Sequence, residues 1–155
     1  MRARTIVAGV AIALAAGIAG LVRAASGRID PNALRNQGEA CASCHKPDGK
    51  APRALFTVGG TIFRSSDGEP RETGAGGVAI ELIDAAGRRV ALTSNAAGNF
   101  WSKDPVSFPV QVSVRTLPEG APRVGPPGRC AHGDCNQCHA YEQPRGPAHG
   151  RLVRP

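Results

Sequence analysis

The chain has 155 residues and a formal net charge of +7 at pH 7, a length that suits one small domain with appendages. Three of the basic side chains, Arg2, Arg4 and Arg23, flank an apolar N-terminal run that contains no acid, and the other arginines are scattered. No block of like charge remains that would grip a phosphate backbone, so nucleic acid is excluded as a partner.

Residues 1–24 read as an export signal. Arg2 and Arg4 precede "TIVAGVAIALAAGIAGLV", and the small residue Ala24 follows at a suitable cleavage position. The alternative is a retained N-terminal anchor, although the run is slightly short for a span of roughly 20 residues. Either way the body of the chain is expected outside the cytoplasm, periplasmic or extracellular. Membrane contact is expected only if the run is retained.

Residues 25–54 hold one short helix candidate, "PNALRNQGEACASCH". Asp30 stands where an N-cap belongs and Pro31 suits the first turn. "KPDGKAP" then breaks the helix.

Across 55–117 the pattern changes to "LFTVGGTIF", "GVAIELID", "RRVALTS", "NFWS" and "VQVSV", runs rich in Val, Ile, Thr and Phe. "DAAGR" and "NAAGN" separate three of them with a glycine ready for a turn. Alternation is clean in Val78-Ile80-Leu82 and in "VQVSV", as in half-buried strands. The fold class is therefore mainly β: a small antiparallel β-sandwich flanked by short helical or irregular segments. Trp101 is expected in its core.

Residues 118–155 recur in proline and glycine with little periodicity. Alone, such a segment resembles a disordered tail. A large cofactor bound to it would order it.

The chemistry lies in a repeated motif. "ACASCHK" (40–46) and "DCNQCHA" (134–140) each place a histidine directly after Cys-x-x-Cys. A Cys₄ zinc site normally separates its pairs by roughly 15–20 residues. Here a whole predicted domain lies between them, and zinc explains neither histidine. A redox dithiol wants a single pair at the start of a helix in a βαβ context, and neither motif follows a strand. Covalent haem accounts for every position: two thiols add to the porphyrin vinyl groups and the next imidazole reaches the iron.

On these residues the chain resembles multihaem cytochromes c. The resemblance implies two covalently bound haem c groups, with Cys41, Cys44, Cys135 and Cys138 as thioether sites and His45 and His139 as proximal iron ligands. The stretch "VGGTIF…GVAIELIDAAGRRVALTSNAAGNF", within about 57–115, in turn resembles the carboxypeptidase-regulatory-like or transthyretin-like sandwich of secreted bacterial proteins. That resemblance implies a structural or adhesive module without an active site. Residues 25–54 would then form a first haem segment and 118–155 a second.

The only methionine is Met1, in the export signal, so no internal methionine can serve as a sixth ligand in the exported chain. The remaining histidines are His132 and His149, and two spare imidazoles match two irons as distal ligands. His132 lies too close to Cys135 to reach the far face of its own haem easily. It is expected to cross to the haem at Cys41 and Cys44, with His149 serving the haem at Cys135 and Cys138. The two motif segments would then meet in space.

The expected function is that of a carrier or relay of electrons between redox partner proteins, with no substrate chemistry of its own. Self-assembly into an extracellular chain of haems is one form this could take. The fifth cysteine, Cys130, is either a buried thiol or a disulfide to a second copy. Two alternatives stand beside the carrier. One is a haem enzyme or ligand sensor with one open iron; the other is an adhesive binding module.

Overall fold

The computed structural model describes residues 36–118, 120–124, 130–139 and 150–155. The export signal, the proposed N-cap at Asp30, and the residues Tyr141 and His149 lie outside these. Among the described residues no helix is long and apolar enough to cross a membrane.

The centre of the fold is the pattern Val78-Ile80-Leu82. All three are buried in strand β2 (Val78–Ile83), while the residues between them are half-buried. Strand β1 (Val58–Phe63) precedes it; β3 (Arg89–Thr93), β4 (Asn99–Ser102), β5 (Gln111–Thr116), β6 (Arg123–Val124) and β7 (Leu152–Val153) follow. They make two sheets, ordered β4-β1-β7 and β3-β2-β5-β6. Every pairing is antiparallel except β1 with β7. Val58, Ile62 and Phe100 from the first sheet pack against Val78, Ile80, Leu82, Val90 and Val114 from the second. This is the small β-sandwich expected from the alternation. Residues 118–155 contribute one short strand to each sheet, β6 and β7.

Both predicted turns form. In "DAAGR" the Asp84 carboxylate accepts from the backbone N–H groups of Ala86, Arg88 and Ser107 and from the Arg88 guanidinium. Burial alone would raise this carboxyl, but those donors outweigh it and hold it down at about 2. The folded group thus binds a proton less readily than the unfolded one. Its contribution is complete above about pH 4 and is lost as the pH falls towards 2. Denaturant titrations should show the gap in stability between the wild type and Asp84→Asn closing over that window. In "NAAGN", Gly98 has φ +82° and packs so closely on the Ile62 carbonyl that a Cβ has no room there.

Two expectations are corrected. The helix candidate reduces, within the described residues, to the single turn α1 (Cys41–Cys44), and another single turn, α2 (Pro70–Thr73), lies between β1 and β2. Asn36 and Gly38 stand at φ 62° and 79°, a left-handed backbone that interrupts any helix reaching back to Pro31. Trp101 is not in the core. Successive strand residues face opposite ways, and Phe100 takes the inner face of β4 at 2% exposure, leaving Trp101 half-buried on the other.

β1 departs from strand alternation altogether, with all six residues buried. Its inner face meets the sandwich core. On its outer face Gly59 meets Cys41 and Thr61 meets Gly38 and Asn136, while Cys135 reaches Gly60 on the Phe100 side.

Candidate functional site

β1 is the floor on which both motifs sit. The second forms the one-turn helix α3 (Cys135–Cys138), a counterpart of α1. A Cβ on Gly59 would lie 2.8 Å from the Cys41 Cβ, and a Cβ on Gly60 would lie 2.8 Å from both the Cys135 Cβ and the Phe100 ring. Two glycines in succession let both segments approach the strand backbone closely. Gly59 also donates its N–H to the Gly133 carbonyl at 2.8 Å, drawing the chain before α3 alongside β1.

The motifs are conformational twins. His45 has φ −92° and ψ 48°, and His139 has φ −91° and ψ 40°. Each histidine N–H closes on the first cysteine's carbonyl, at 3.0 Å in the first motif and 2.9 Å in the second. The rings are also held alike. His45 Nδ1 lies 2.6 Å from the Ala54 carbonyl, and His139 Nδ1 lies 3.0 Å from that of Gly150. A carbonyl oxygen only accepts, so Nδ1 donates in both rings, and in the neutral imidazole Nε2 then keeps its lone pair. That is how a protein presents an imidazole to a metal, with its second nitrogen anchored to the backbone. The His45 ring is further clasped by Phe56, which stacks on it at 3.8 Å with a 12° tilt and in turn stacks on Trp101 at 5.7 Å.

The first thiol of each motif differs from those of a redox or thiolate-metal site. Burial, reinforced by the Asp134 charge, pushes Cys41 up to about 12. Burial, then Cys130 and Cys41, push Cys135 up as well. A nucleophilic dithiol or a zinc ligand needs the opposite shift, whereas an uncharged thioether tolerates this burial. No disulfide joins any two of the five cysteines, and among the described residues no three His, Cys, Asp or Glu side chains gather as a metal ion's ligand set.

Asp134 is 6% exposed, and its carboxyl is raised by burial. The Ser43 and Ala42 N–H groups of the first motif and His132 offset part of that rise. Its Oδ1 has no hydrogen-bond partner among the described residues.

His132 lies beside its own motif, and Asp134, which it contacts, also neighbours Ala42 and Ser43 of the first. Its Nδ1 accepts the Asp134 N–H at 3.3 Å, and its Nε2 lies 3.6 Å from the Cys138 Sγ. With Nδ1 accepting, Nε2 carries the proton, so this ring must release both contacts before it can ligate an iron through Nε2. Cys130 is joined to Val110 by backbone pairing, Val110 N–H to Cys130 carbonyl at 3.0 Å. Burial, then Cys138, raises its thiol.

The structure brings the two motif segments together, and it does so through residues that sequence reasoning passed over: Gly59, Gly60, Thr61, Asp134 and Asn136. The double glycine inside a strand pattern was the one available signal, since glycine there marks a close approach. Comparisons with family models, with curated proteins and with solved structures return no match to this chain.

Proposed function

We propose that the chain is an exported dihaem c-type cytochrome that relays electrons between redox proteins. Its haems would be attached at Cys41/Cys44 and Cys135/Cys138, with His45 and His139 as proximal ligands. The observation that carries this reading is the matched anchoring of the two histidines: two motifs far apart in sequence each hold Nδ1 on a carbonyl and, among the described residues, leave Nε2 without a hydrogen bond. When bound, haem supplies an iron that gains and loses one electron.

The chain's own residues do the rest. The Ala54 and Gly150 carbonyls set the imidazole tautomer and strengthen its basicity. Phe56 fixes the rotation of His45. The raised thiols of Cys41 and Cys135 sit in places suited to a neutral thioether. His149 and a released His132 remain the distal candidates in a closed, six-coordinate form. A second reading, a sensor or enzyme with one open iron, is favoured by the engagement of His132 Nδ1 with the Asp134 N–H.

The mass of the exported protein tests the attachment: two haem additions are expected, and a chain without them would overturn the proposal. Electron paramagnetic resonance of the oxidised protein separates the two readings. Two low-spin bis-histidine signals are expected for the carrier, and one high-spin iron for the open site.

A further inference from the structure

We propose that Asn136 is a positioning residue that locks the two Cys-x-x-Cys-His segments together across Thr61, so that both haems are carried as one pair of fixed separation. The proposal rests on the dihaem reading above.

Asn136 is the first residue between the cysteines of the second motif, a place with no direct part in thiol or iron chemistry. It is nevertheless 3% exposed, and its amide is fully engaged. Its Oδ1 accepts the Thr61 N–H at 3.0 Å. Its Nδ2 donates to the Glu39 carbonyl at 2.8 Å and to the Thr61 Oγ1 at 3.0 Å. Glu39 leads directly into the first motif, so one side chain spans a sequence separation of 97 residues.

Thr61 is the hub of this network. It is 0% exposed, its Oγ1 donates to the Asn99 Oδ1 at 2.8 Å, and the same oxygen accepts the Gly38 N–H at 3.0 Å. β1, β4 and both motif segments thus converge on one hydroxyl. Buried amide networks of this kind, with every donor and acceptor used, specify one arrangement and resist sliding. A general structural role would need only the contact with β1. The bond to Glu39 joins one haem segment to the other.

The experiment compares the holoprotein with Asn136→Ala. In the oxidised wild type, two low-spin irons held close should broaden each other's resonance, and the broadening should vanish when one iron is reduced. Asn136→Ala should keep both haems by mass and lose much of that broadening in the fully oxidised state. Should that variant fail to fold, Asn136→Asp carries the same expectation: it keeps the acceptor for Thr61 and drops the donor to Glu39. A variant with two haems, a lower melting temperature and unchanged broadening would overturn the proposal alone, leaving an ordinary structural asparagine. A wild type with no haem additions would overturn the dihaem reading and this proposal with it.

Discussion

Gly60→Val is expected to destabilise the sandwich strongly and to displace the second Cys-x-x-Cys-His segment. The first added carbon would lie 2.8 Å from the Cys135 Cβ and 2.8 Å from the Phe100 Cζ, and valine's two methyl groups extend further. Neither neighbour can yield easily. Phe100 is 2% exposed between the sheets, and Cys135 packs against the same core. Overpacking a well-filled core costs about 1–3 kcal/mol, and a clash on two sides belongs at or above the top of that range. Against a typical stability of about 5–15 kcal/mol, the loss is a large fraction. Thermal denaturation should show a fall of many degrees, and mass spectrometry a drop in the fraction of chain carrying a group at Cys135 and Cys138. A melting point within a degree or two of the wild type would show that β1 does not seat the motif this closely.

If the proposed dihaem reading holds, His45→Ala is expected to leave the fold largely intact and to change one of the two irons. His45 is half-buried at the surface of the sandwich, and its contacts are local: the Ala54 carbonyl and the Phe56 ring. Its removal frees an acceptor that water can satisfy, and no thiol is touched. Both haem masses should persist. One of the two low-spin signals should give way to a high-spin one, since the coordinated imidazole is gone. The other iron, served by His139 and its Gly150 anchor, should keep its spectrum. If both low-spin signals survive in His45→Ala, His45 is not a ligand.

The legible part of the fold was the part with local rules. β2 and β5 announce themselves through alternation, β3 through its apolar and β-branched run, and the Asp-x-x-Gly and Asn-x-x-Gly turns mark where the chain reverses. β7 is only two residues long, and it exists because Ile62 and Phe63 offer a parallel edge to Leu152 and Val153. The nearby Arg151 guanidinium, over the Phe63 ring at 4.8 Å and donating to the Gly68 carbonyl at 2.7 Å, helps hold that end of the chain in place. No local pattern encodes such a pairing. Trp101 went astray for a related reason: an aromatic residue in a strand suits either face, and only the neighbouring Phe100 decides which.

The site divides the same way. The spacing of two cysteines and a histidine is a local constraint, since one turn of chain must present both thiols and an imidazole together. The sequence by itself therefore determined the two Cys-x-x-Cys-His motifs, the lack of an internal methionine and the β character of what lies between. Only the tertiary structure decided that the two motifs share one strand, that Gly59 and Gly60 are their seats, and that Asn136 reaches from one to the other. Those outcomes depend on contacts between residues far apart in the chain. Such contacts form only when the sandwich brings β1 between the segments, and no periodicity in the sequence records them.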